Sequence, residues 1–146
     1  MQRVCVIWVG KTAKGFPAEA VAHYAERIRA LAELDCVEIR AASHSGRDQA
    51  QARQAEGAAL LRRLGKLERV ILLDERGLEL TSPQLAQWLG ERQAVTFVVG
   101  GAYGVDAAVE ARADERLSLS RLTLPPQLVR IVLLEQVYRA LTIRQG

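Results

Sequence analysis

Continuous apolar runs and helix-spaced apolar stripes alternate along this chain from end to end. Val4-Cys5-Val6-Ile7-Trp8-Val9 is an unbroken, β-branched run that stops at Gly10. A run without in-out alternation reads as a strand covered on both faces, as in a parallel sheet. Pro17 then opens a helix in which Val21, Tyr24, Ile28 and Leu31 form one stripe at i, i+3, i+7 and i+10. Cys36-Val37-Glu38-Ile39 is a second, shorter strand. Residues 42–53 are polar, carry His44, Arg47 and Arg53, and read as an exposed loop leading into a helix through Leu60, Leu61 and Leu64.

Arg69-Val70-Ile71-Leu72-Leu73 is the third strand. Thr81-Ser82-Pro83 is an N-cap followed by a first-turn proline, and its helix runs through Leu85, Trp88 and Leu89. Val95-Thr96-Phe97-Val98-Val99 is the fourth strand, stopping at Gly100-Gly101. A short helix over residues 105–111, a strand near Leu117-Ser118 and a long helix over residues 126–141 complete the pattern. Five strands alternating with five helices predict an α/β layered domain with a mostly parallel sheet. No repeat, low-complexity tract or linker divides the chain, so residues 1–146 read as a single domain.

Composition narrows the class. Apolar residues at 49% and charged residues at 25% describe an ordinary soluble globular chain. No apolar run is long enough to span a bilayer. The N-terminus enters a strand at once and leaves no room for a signal peptide, so a cytoplasmic location is expected. Cys5 and Cys36 sit inside apolar runs without CxxC spacing and read as buried thiols. His23 is expected on a helix surface and His44 in a loop; neither has metal-ligand spacing, and no metal is expected. The net charge of +3 mildly favours an anionic partner.

Gly10-Lys11-Thr12 after the first strand invites a P-loop reading. That motif needs a glycine five positions before Gly10, where Cys5 stands inside the strand. The dinucleotide-binding fingerprint also fails, because the glycine cluster follows the fourth strand and not the first. Gly100-Gly101-Ala102-Tyr103-Gly104 is the better lead. Glycines at the carboxyl end of a parallel strand let backbone approach a ligand, or simply make a tight turn. Asp74 sits at the tip of the third strand, while Glu75 and Arg76 read as a solvated turn. In the loop Leu119-Ser120-Arg121-Leu122-Thr123-Leu124, three leucines suit a flat ring and main-chain groups suit its edge. An ordinary loop packed on the core is the competing reading.

Taken in this order, the glycine cluster, the strand tip, the leucine loop stopped by Pro125-Pro126 and the final apolar helix resemble the SPOUT RNA methyltransferases. The similarity covers nearly the whole chain and is greatest to the small RlmH-type members, which methylate N3 of a pseudouridine in 23S ribosomal RNA. The resemblance implies a C-terminal trefoil knot, a homodimer and S-adenosylmethionine as cofactor. It implies cofactor contacts from Leu73, Gly100, Leu119, Ser120, Arg121, Leu122, Thr123 and Leu124. The substrate it implies is 23S rRNA in the assembled ribosome, and it makes Lys11 and Lys14 candidate RNA contacts. The breadth of apolar surface on the last helix suits burial in the core, in a dimer interface, or both.

Arg130, Glu135, Tyr138 and Arg139 are the polar members of the last helix. Arg139 and Tyr138 are the catalytic candidates, with Glu135–Arg139 pairing at i, i+4 as the alternative. The family's tail, with a Tyr-His and a basic residue, is not reached before Gly146, and Pro126 stands where the family often has histidine. A knotted methyltransferase on another RNA, or a cofactor- or RNA-binding homologue without full activity, are the competing functions. A small-molecule α/β enzyme finds no supporting catalytic pattern.

Overall fold

The computed structural model describes residues 1–42, 48–66 and 68–146. His44 and Arg47 lie outside the described residues. Ten elements follow one another: β1 (Arg3–Val9), α1 (Phe16–Arg29), β2 (Glu33–Ile39), α2 (Gln49–Arg63), β3 (Val70–Glu79), α3 (Ser82–Gly90), β4 (Ala94–Val99), α4 (Ala107–Arg112), β5 (Glu115–Ser118) and α5 (Pro126–Gln145). The strands form one five-stranded sheet in the order β2-β1-β4-β3-β5. Every pairing is parallel. The unbroken apolar runs are explained by this arrangement, since both faces of the sheet are covered by helices.

On one face, Val4, Val6, Trp8, Ile71, Phe97, Val99 and Leu117 pack with Ile28 of α1, Leu85 and Leu89 of α3, and Leu133, Leu134, Val137 and Leu141 of α5. On the other, Ile7, Val9, Val70, Leu72 and Val98 pack with Leu60 of α2 and Val109 of α4. Each fully buried aliphatic or aromatic side chain here stabilises the fold by roughly 1.5–3 kcal/mol. α5 lies between α1 and α3 as the central helix of its layer.

Several element limits differ from the sequence reading. α2 begins at Gln49, inside the stretch read as loop, because Asp48 accepts a hydrogen bond from Gln51 N at 2.8 Å and caps it. β3 continues past Leu73 to Glu79. Leu73 and Leu78 both sit beside Leu117 of β5, so residues 74–77 leave the ladder and rejoin it. Gly77 closes this excursion: a Cβ there would lie 2.7 Å from the Arg116 carbonyl carbon. α5 runs on to Gln145, and α4 begins at Ala107 behind its Asp106 cap. Cys5 and Cys36 are free and half-buried. Burial pushes the Cys5 thiol up to about 11, which leaves it un-ionised and chemically quiet at neutral pH. No helix among the described residues is long and apolar enough to cross a membrane.

Candidate functional site

The excursion within β3 and the loops at the carboxyl ends of β4 and β5 enclose a cavity of about 590 Å³ with the first turn of α5. That volume lies within the range of small-molecule and cofactor sites. The first wall is the turn after β4. Gly104 N donates to Gly101 O at 3.0 Å, and Gly104 has φ +80°, the left-handed region that glycine occupies without strain. Behind this turn lies Glu56 of α2, 6% exposed, accepting from Ala42 N at 3.0 Å.

The second wall is the excursion from β3, with Leu72, Leu73, Asp74, Glu75 and Arg76 facing the cavity. Asp74 accepts from Arg76 N at 2.9 Å and from the Arg76 and Arg116 guanidinium groups at 3.3 Å each. Partial burial acts to raise the pKa of Asp74. The Arg76 N–H, the Arg76 guanidinium and Arg116 outweigh it and hold the carboxyl below the ordinary carboxylate range. Arg116 also reaches Glu110 at 3.3 Å, so the charges at the rim are stitched together.

The third wall is the loop over residues 119–124. It is folded on itself by Ser118 Oγ donating to Ser120 O at 3.0 Å and by Leu122 N donating to Ser120 Oγ at 3.0 Å. Thr123 Oγ1 donates to Glu75 Oε2 at 2.8 Å and straps this wall to the second. Pro125 and Pro126 then start α5, and Pro126 and Val129 complete the lining.

Of the residues singled out in the sequence, Leu73, Gly100, Leu119, Ser120, Leu122, Thr123 and Leu124 line this one cavity. Arg121 does not: it points outward and pairs with Glu79 at 2.7 Å. Leu122 is 74% exposed, so it stands at the mouth. Glu75, read as solvated turn, is the strap's acceptor. Tyr138 and Arg139 lie off the cavity. Tyr138 is half-buried against the core with Arg27 5.6 Å from its ring centre, and Arg139 pairs with Glu135 at 2.9 Å. Tyr138 lies nine helical steps beyond Val129, roughly 13 Å along the axis.

Sequence reasoning missed the role of Arg130, which is fully buried. Its guanidinium donates to Val9 O and Gly10 O at 3.2 Å and to Thr12 Oγ1 at 3.0 Å, above the Trp8 ring. Burial draws its pKa down, with Glu38 acting the other way. A signal was available. Arg130 falls on the same stripe as Leu134, Val137 and Leu141, where a lone arginine must find acceptors indoors.

The arrangement suits a ligand with a flat apolar part and hydrogen-bonding edges, held against backbone at the glycine turn and between leucines. The residues present fit S-adenosylmethionine in size and in chemistry. Among the described residues, no group of three or more His, Cys, Asp or Glu side chains is arranged to hold a metal ion.

Comparison with known proteins gives a consistent picture. The family model described as "Predicted SPOUT methyltransferase" matches residues 2–146. A protein of an Anaeromyxobacter species, named ribosomal RNA large subunit methyltransferase H, is 45% identical over 149 residues, covering 99% of this chain and 96% of its own. Proteins with the same name from Geotalea daltonii and Desulfitobacterium hafniense are 42% and 39% identical, covering 99% and 100% of this chain and 96% and 97% of theirs.

Proposed function

The chain belongs to the SPOUT methyltransferase family, and on that footing we propose that it methylates N3 of a pseudouridine in the 23S rRNA of assembled ribosomes, with S-adenosylmethionine bound in the three-loop cavity. The observation that carries this reading is the convergence of Leu73, Gly100 and the 119–124 loop on one cavity. When bound, the cofactor supplies an electrophilic methyl group. Leu119 and Leu124, which line the cavity, would hold the cofactor's flat adenine, and main-chain groups of the loop would read the ring's edge. Gly100 and the turn after it would face the methionine part, and Leu73 would close the side.

Methylation at a ring nitrogen also requires that the nitrogen lose its proton before or during attack. Asp74 is a weak base, because its arginine partners keep it ionised and engaged. Its role is to hold charge at the rim and to orient Arg76 and Arg116. Tyr138 and Arg139 remain the proposed catalytic pair, with RNA orientation as their task. Since one chain keeps them away from its own cavity, that task calls for a second copy. We infer a homodimer in the cytoplasm, each chain a single domain with a C-terminal trefoil knot. Exposed apolar Phe16 and Leu128 support a partner chain.

Calorimetric titration with S-adenosylmethionine, beside methyl transfer to ribosomes lacking the modification, tests the proposal. One cofactor per chain and transfer to a pseudouridine are the expected results. Absence of cofactor binding sinks the proposal, and transfer to a different nucleoside replaces its substrate. Tyr138→Phe and Arg139→Ala are expected to leave cofactor affinity within about twofold and to lower transfer at least tenfold, a loss of roughly 1.4 kcal/mol or more in transition-state stabilisation.

A further inference from the structure

The loop after β1, residues 10–15, stays outside the cavity yet is fastened to the cavity's wall. Gln127, in the first turn of α5, holds it twice. Its side-chain amide donates to Lys11 O at 3.0 Å, and its side-chain carbonyl accepts from Ala13 N at 2.9 Å. Arg130 holds the base of the same loop through Val9 O, Gly10 O and Thr12 Oγ1. The planar fork matters here, because the three acceptors are reached from two separate nitrogens held in fixed directions, whereas an ammonium group offers its donors from a single rotating nitrogen. Pro126 and Val129, from that same stretch of α5, face the cavity. Loop and cavity therefore share one rigid support.

What the loop presents outward is charge. Lys11 and Lys14 are both exposed. Among the described residues neither ammonium group forms an ion pair. A floppy pair of lysines would add affinity for any polyanion without setting a register. A clamped pair sets one.

We propose that Gln127 and Arg130 are positioning residues for the acceptor: they hold Lys11 and Lys14 at a fixed offset from the cavity, so that an RNA phosphate backbone docked on the lysines presents its base to the pocket. The proposal rests on the reading of the acceptor as RNA given above. It goes beyond that reading by assigning the register to a clamp that touches neither cofactor nor RNA.

A double-mutant cycle tests it. Wild type, Gln127→Ala, Lys11→Ala with Lys14→Ala, and the combined protein are compared for affinity to unmodified ribosomes, for methyl transfer and for S-adenosylmethionine binding. Hydrogen exchange at the Ala13 amide reads the clamp directly. Gln127→Ala is expected to speed that exchange and to weaken ribosome binding about fivefold, near the effect of one net hydrogen bond. Cofactor affinity is expected to stay within about twofold. The lysine pair is expected to cost about tenfold and to flatten the salt dependence by about two counterions. The combined protein is expected to bind no worse than the lysine variant, since the clamp acts only through the lysines.

Additive losses in the combined protein overturn the proposal, as does a wild type that fails to bind ribosomes. Coupled losses in a protein that binds no S-adenosylmethionine leave the clamp standing and sink the cofactor reading. Additive losses with normal methyl transfer do the reverse. Arg130→Lys keeps the charge and loses the fork. Unchanged exchange over residues 10–13 in that variant removes Arg130 from the clamp.

Discussion

Asp74 and Asp114 both keep their charge at unusually low pH, for different reasons. Asp114 accepts a hydrogen bond from Val70 N at 2.8 Å and pairs with Arg112 at 3.3 Å. The backbone bond is the larger cause of its lowered pKa, with burial opposing and the arginine adding. At Asp74, burial opposes and the Arg76 and Arg116 contacts prevail. A carboxyl lowered on folding contributes stability above its unfolded pKa, near 3.9, and loses it as pH falls through the folded value. Urea midpoints are therefore expected to be level from pH 7 to about 5 with respect to these groups, and to fall below about pH 4. Asp114→Asn retains an acceptor for Val70 N, so the fold is kept and the acid-side decline becomes shallower. An equally steep decline in that variant would remove Asp114 from the account.

At the scale of elements, local chemistry decided what the sequence made legible. The start of α3 was readable because the N-cap residue Thr81 is followed by a first-turn proline, Pro83, and the structure adds reciprocal bonds between Thr81 and Gln84 that complete a capping box. Thr81→Ala is expected to cost about 1 kcal/mol in urea denaturation, with the sheet intact by circular dichroism. The start of α2 was misread, because the polar composition of residues 42–53 outweighed the single cap at Asp48. The extension of β3 was not legible at all. Its second half pairs with β5, more than thirty residues further along, and no local pattern in Asp74-Glu75-Arg76-Gly77 announces a strand that leaves and returns. Likewise, the spacing of α5 marked Tyr138 and Arg139 as polar exceptions, but only the packing of α5 between α1 and α3 reveals which way they face.

For the whole molecule, the cavity is a product of strand order. The turn at Asp74 and the loops after β4 and β5 were each recognisable, yet their meeting depends on β4, β3 and β5 being neighbours in the sheet. Ligand binding there joins three segments distant in sequence, so it is expected to act on global stability. At a concentration of S-adenosylmethionine 100 times its Kd, the gain is about 2.7 kcal/mol. Scanning calorimetry is then expected to show Tm rising by roughly 5–10 °C. Hydrogen exchange is expected to slow most over residues 119–124. A Tm that does not move at saturating ligand would rule out this cavity as the binding place. The detour in β3 has a further consequence. Because Leu73 and Leu78 pair with the same residue of β5, the stretch between them is a cassette whose ends are fixed by the sheet and whose middle is held only by its own contacts through Asp74, Glu75 and Gly77. Cassettes of other lengths, ending in glycine where the chain passes Arg116, would reshape the rim of the cavity while the sheet register stays as it is.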